Sequence, residues 1–292
     1  MVANPHFEFL ADLAKAFNAG KISLPSFPDI VLRIRKTLEK EDVYIEQVSQ
    51  VVKTDPMLVS RLLVFANSTA YNPSGTRIDT LEVALNRLGF DLVRSTAVSM
   101  AVRQMFLAEQ HKEIAPALRK IWQKSMQIAA MCAAVVDNRR SFKEESAFMC
   151  GLLHYVGKLY IIKEMKNYPA LLRDPVELKS VLTEWHPKVG KCIVESWDFS
   201  SEVAQTLDAK EYMSEYNSKS PTLADVVYVA KILLRHIGVA KKAGVDPRLA
   251  ETEFVPAEIP AMQRLGIEDN ELPLLYQTFD DKLSAIREAL AS

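Results

Sequence analysis

Histidine and cysteine offer this chain its widest chemical scope, and it holds five of the first and three of the second. A neutral imidazole or a carboxylate can ligate a divalent cation. A cation held that way polarises a phosphate oxygen and converts water into a hydroxide nucleophile. His154 stands in Gly151-Leu152-Leu153-His154-Tyr155-Val156-Gly157-Lys158, between Leu153 and Tyr155 in an apolar stretch that reads as helix. An imidazole so placed is more often a buried, hydrogen-bonded group than a metal ligand. His186 precedes Pro187 and reads as a cap or turn residue. His236 falls near a helix end, where partial positive charge is favoured. His6 and His111 lie among polar neighbours and read as solvated. Cys132, Cys150 and Cys192 form no C-x-x-C pair and read as reduced, mostly buried thiols. No G-x-x-x-x-G-K-[ST] loop, G-x-G-x-x-G fingerprint or G-x-S-x-G elbow is present.

The elements that must position these groups read as helices. Only 9 glycines occur in 292 residues, too few for a hairpin-rich chain, and period-2 segments are missing. Asn4-Pro5 starts a helix with Phe9, Leu10, Leu13 and Phe17 on one face, which Asn18-Ala19-Gly20 ends. Ile30, Val31, Ile34 and Leu38 form a second stripe, and Ile45, Val48, Val51 and Val52 a third. Asp55-Pro56 opens the helix through Leu58, Leu62, Leu63 and Phe65. Asn67 to Gly75 reads as a loop. Asp79-Thr80-Leu81-Glu82 and Ser141-Phe142-Lys143-Glu144 are capping-box patterns. Gly89 ends one helix, and a long apolar one follows to Leu107. Further helices are expected from about Leu118 to Val136, through His154, from Ser201, and from Thr222 through Leu233. Pro169, Pro175 and Pro187 punctuate the stretch between. Asp246 to Pro260 reads as a connector, followed by a helix using Leu274, Leu275, Phe279 and Leu283.

Composition excludes some functions. Hydrophobic residues are 49%, charged residues 25%, and the net charge is -1 with a pI near 6.5. Non-specific nucleic-acid binding needs a concentrated positive footprint. Arg139-Arg140 and Lys241-Lys242 read as solvated helix ends. No apolar run approaches a membrane span, and no basic leader precedes an apolar core, so the cytoplasm is the expected location.

Two blocks of sequence resemble a known family. The first runs Leu24-Pro25-Ser26-Phe27-Pro28, then Asp55-Pro56-Met57-Leu58, then Arg61-Leu62-Leu63-Val64-Phe65-Ala66-Asn67-Ser68, then Leu88-Gly89. The second is Gly151 to Lys158 followed by Trp185-His186-Pro187-Lys188-Val189-Gly190. As a set these resemble the HDOD domain of bacterial signalling proteins, a relative of the HD and HD-GYP metal-dependent phosphohydrolases. The likeness covers roughly residues 20 to 240. It implies an all-α fold, an HD-domain-like helical bundle packed against an N-terminal helical subdomain. The expected segments are a leader helix at 1–20, an N-terminal helical half at 21–112, an HD-like half at 113–240, and a connector with a final helix at 241–292. Pro25, Asp55, Pro56, Arg61, Asn67, Ser68, Leu88 and Gly89 carry the family pattern and read as structural.

The resemblance also locates what an HD metal site would use. His154 matches the His of an adjacent His-Asp pair, but Tyr155 stands where the Asp would be. Lys124 falls at the first ligand His, in Ile121-Trp122-Gln123-Lys124-Ser125. Lys210 and Glu211 stand near where HD-GYP enzymes place further histidines. His186 and Asp225 match later ligands, which leaves His154, His186 and Asp225 as fallback metal ligands, with Asp208 or Glu211 as supplements. Lys124, Tyr155 and Lys210 are the degenerate positions, and two of them place positive charge where cations would sit.

The resemblance therefore implies a non-catalytic signal-transduction module with no cofactor, acting by contacts with unidentified signalling proteins or as a homodimer. Neither nucleic acid nor membrane is an expected partner. No receiver, GGDEF or EAL segment is attached, so separate proteins would carry the output. The alternatives are a divergent HD-type phosphohydrolase using a divalent metal, and a nucleotide-binding sensor that does not hydrolyse.

Overall fold

The computed structural model describes residues 5–18, 28–108, 111–207, 220–250 and 254–290. Every regular element among them is helical. In chain order the α-helices are α1 (Pro5–Asn18), α2 (Asp29–Leu38), α3 (Ile45–Val52), α4 (Pro56–Asn67), α5 (Leu81–Leu107) and α6 (Ala115–Val136). They continue as α7 (Glu144–Leu153), α8 (Val156–Glu164), α9 (Pro169–Arg173), α10 (Pro175–Ser196) and α11 (Ser201–Gln205). The last are α12 (Leu223–Lys242), α13 (Pro260–Leu265) and α14 (Leu272–Leu290). No described helix is long and apolar enough to cross a membrane.

Local chemistry sets most helix starts. Asp55 accepts a hydrogen bond from the Leu58 amide at 3.0 Å, and Pro56 takes the first helical position of α4. Asp174 repeats the device on α10, accepting from Val176 and Glu177 at 3.0 and 3.1 Å before Pro175. Ser200 caps α11 through the Val203 amide at 3.3 Å. Thr222 and Asp225 form a capping box on α12. Gly89 has φ +74° and ψ 164°, a left-handed break that divides α5 where a side chain would be strained.

Several expectations are corrected. The helix expected to carry His154 stops at Leu153, and His154 and Tyr155 form a turn before α8. Pro187 lies inside α10, with His186 buried in mid-helix and not in a turn. A proline there removes one amide donor, and the tertiary packing of α10 on α8 holds the helix through it. Neither expected capping box forms. α5 begins at Leu81, so Glu82 is at the second helical position, and its carboxylate accepts from Ser49 at 2.8 Å and Lys53 at 2.6 Å. α7 begins at Glu144 itself, and that carboxylate accepts from Tyr71 at 3.4 Å and Lys282 at 2.8 Å. Leu274 is 59% exposed, and α14 buries Leu275, Tyr276, Phe279 and Leu283 instead. The expected connector carries a short 3-10 turn at Pro256–Glu258 and ends where α13 begins; Gly266, in the left-handed region, closes α13.

The chain divides into two compact units that interleave along the sequence. The first comprises Met1–Ser26, Arg103–Ser125 and Leu153–Ala209; the second comprises Phe27–Val102, Met126–Leu152 and Lys210–Ser292. The first unit has Ile114, Leu118, Leu159, Ile162, Val189 and Ile193 in its core, with α8 against α10 as its main packing. Phe9 of α1 meets Tyr168 edge to face at 5.3 Å. The second unit buries Ile34, Leu58, Leu62, Leu85, Met131 and Phe279, with α14 on α4, α12 on α13 and α2 on α3.

Candidate functional site

The first unit brings His154 and His186 together. Their ring centroids lie 6.0 Å apart at an interplanar angle of 76°. Tyr155 completes a three-ring cluster, 4.9 Å from His154 and 5.6 Å from His186. His154 is 1% exposed and His186 7%. The two histidines reach each other because α8 and α10 approach backbone to backbone. A Cβ on Gly157 would overlap the carbonyl oxygen of His186 and stand 2.7 Å from the Gly190 nitrogen. Gly157 and Gly190 are the glycines that close the two sequence motifs, and they face each other across this crossing.

The third member of the cluster changes its chemistry. Burial pushes the Tyr155 phenol above its ordinary range, so it stays a neutral ring at physiological pH. The Lys158 ammonium sits 3.7 Å from the centroid of that ring. Lys158 follows Tyr155 by three residues, so helical spacing alone carries the cation over the ring face. A metal at His154 and His186 would meet a neutral phenol in place of a carboxylate and a resident positive charge beside it.

Asp225 has partners of its own. It belongs to the second unit, is 3% exposed, and is already committed. Arg264 donates to both its oxygens, at 3.1 Å from Nε and 2.5 Å from Nη2. The Thr222 amide donates to it at 2.9 Å. Nothing in the sequence pointed to Arg264, which lies 39 residues away. Lys124 is exposed on α6, beside the buried Ser125. Asp208, Lys210, Glu211 and Pro25 lie outside the described residues. Among the described residues, no group of three or more His, Cys, Asp or Glu side chains could hold a metal ion. Among the described residues of the first unit, the cluster's two imidazoles and neutral phenol are not the donor set of an HD-type divalent centre.

The other family-pattern residues do structural work in the second unit. Asn67 clasps the end of α4 to the strand-like entry of α5. Its amide nitrogen donates to the carbonyls of Leu63 and Ile78 at 2.9 and 2.7 Å, and its oxygen accepts from the Ile78 amide at 2.8 Å. Ser68 donates back to Phe65 at 2.8 Å and is buried. Arg61 is 3% exposed among the core leucines of α4. Leu88 packs against Ala66, Ile78 and Ala84.

The described elements form an all-α, HD-domain-like helical fold. Within that class, the HDOD domain model matches residues 24–212, and the chain belongs to the HDOD domain family. An uncharacterised protein of Treponema pallidum (strain Nichols) is 20% identical over 230 residues, covering 73% of this chain and 42% of that protein. The chain thus spans about two fifths of the length of the curated relative it matches. Among solved structures, a protein of Shewanella amazonensis SB2B named as a candidate metal-dependent phosphohydrolase superposes with a TM-score of 0.77 at 18% identity, over 96% of this chain and 99% of that one. An HDOD domain protein of unknown function from Geobacter sulfurreducens gives 0.62 at 23% identity, over 96% and 95%. A candidate signal transduction protein of Marinobacter aquaeolei VT8 gives 0.67 at 18% identity, over 100% and 67%. At these identities the likeness carries the fold.

Proposed function

We propose that this chain is a non-catalytic regulatory module of signal transduction that acts through protein–protein contacts. Membership of the HDOD family and a signal-transduction protein among the structural relatives support a regulatory role. One observation carries the non-catalytic half of the reading: the cluster at His154 and His186 closes on a neutral phenol and an ammonium, Tyr155 and Lys158. Metal-assisted hydrolysis needs anionic or neutral lone-pair donors around an open coordination position. A buried ring and a cation supply neither. The carboxylate that the sequence offered as a further ligand, Asp225, neutralises Arg264.

Elemental mass spectrometry tests the reading. Chelator-free protein is soaked in Mn²⁺, Fe²⁺ or Zn²⁺ and desalted, then assayed with bis-p-nitrophenyl phosphate. The expected result is metal near zero and no turnover. About one or two ions per chain, lost in His154→Ala, would overturn it in favour of a divergent phosphohydrolase.

A further inference from the structure

The second unit contains a cavity of about 310 Å³ among α4, α5, α6, α7 and α14. That volume is at the lower end of small-molecule sites. Its walls are apolar: Phe65, Leu88, Leu92, Ala133, Phe148 and Ile286. Of its charged residues, Asp91, Glu144, Glu145 and Lys282 are held in ion pairs, and Lys143 is an exposed cation outside them. Glu144 accepts from Lys282, which also pairs with Asp137, both at 2.8 Å. Glu145 and Asp91 share Arg94, at 2.6 and 3.0 Å.

The polar groups of the α5 wall are different. Ser95, Thr96 and Ser99 all line the cavity. Thr96 and Ser99 spend their hydroxyl protons on the carbonyls of Leu92 and Ser95, each at 2.7 Å, and so can only accept. Ser95 is 2% exposed, and its hydroxyl oxygen has no hydrogen-bond partner among the described residues. A buried hydroxyl left in that state is unfavourable, and a ligand that bonds to it recovers the loss.

We propose that this cavity is a binding site for a largely apolar small molecule without positive charge, carrying an N–H or O–H donor that meets Ser95. The walls select the apolar body. The lone pairs of the three hydroxyls select the donor. The matched carboxylates select against a cationic ligand, which would lose its hydration and gain no free counter-charge. The site lies within the second unit and uses neither His154 nor His186, so it stands independently of the non-catalytic reading above. It would give the module a small-molecule input.

The probe is N-phenyl-1-naphthylamine, an uncharged aromatic amine with a single N–H, titrated into the full chain and followed by fluorescence. Saturation at one probe per chain is expected. Ser95→Leu grows into the cavity and should weaken binding by about tenfold or more. Ala133→Leu narrows the same space from α6 and should do likewise; circular dichroism checks the helix content of both. A measurement on the unaltered protein needs no variant: the Ile286 methyl resonance should move on addition of the probe. The cationic dye thioflavin T should bind about tenfold more weakly. Absence of saturable binding, unchanged affinity in a folded cavity variant, or a stationary Ile286 methyl would each overturn the site. Equal affinity for the cationic probe would overturn the exclusion of positive charge.

Discussion

A methyl group at position 157 would overlap the carbonyl oxygen of His186, and both atoms nearest to it belong to backbone. Backbone in the middle of α10 cannot swing aside as a flexible side chain can. Gly157→Ala is therefore expected to destabilise the protein by about 3 kcal/mol, measured as the change in urea unfolding free energy. An unchanged midpoint would show that α8 and α10 can separate without loss. The same substitution should pull His154 and His186 apart, read from their imidazole proton resonances. At this scale the sequence supplied the residues and their types. It placed His154 in apolar surroundings, and the side chain is indeed buried. It did not show that His154 sits in a turn, because Phe148 to Ile162 is apolar but for His154 and Lys158 and gives no sign of where one helix stops.

Helices show the same division. Asp55-Pro56 and Gly89 act within a few residues of themselves, and the elements they bound were legible. Glu82 and Glu144 looked equally like capping residues, but each found a stronger distant partner in Lys53 or Lys282. A charge-assisted bond to an ammonium outweighs a bond to one backbone amide. Asp225 does both jobs, capping α12 and holding Arg264 of α13. Asp225→Ala leaves the guanidinium facing a vacated partner in a nearly buried position, and is expected to cost about 3 kcal/mol of stability. Arg264→Ala should cost a similar amount, and the double variant clearly less than the sum, since one interaction is being removed twice. Thermal unfolding of the three variants measures the coupling; strict additivity would mean the pair contributes nothing. None of them should alter metal content, which separates this structural role from a ligand role.

For the whole molecule, charge is the property read most directly from sequence. With 36 basic and 37 acidic residues, and no long basic run, the chain lacks an electrostatic footprint for phosphate backbones. Random-sequence duplex DNA is expected not to bind below about 100 μM at physiological salt, measured by fluorescence anisotropy. Micromolar binding would reveal a localised basic face that the total conceals. The helical class, most helix starts and the family were also set by sequence alone, because capping, periodicity and motif spacing involve residues close together in the chain. Tertiary structure decided the rest. It interleaved the two units, brought His154 to His186 under a lysine-capped tyrosine, and gave Asp225 to Arg264. It also left Ser95 facing a cavity. Each of these depends on side chains, or on the absence of one at Gly157, meeting across distances along the chain that no local pattern records.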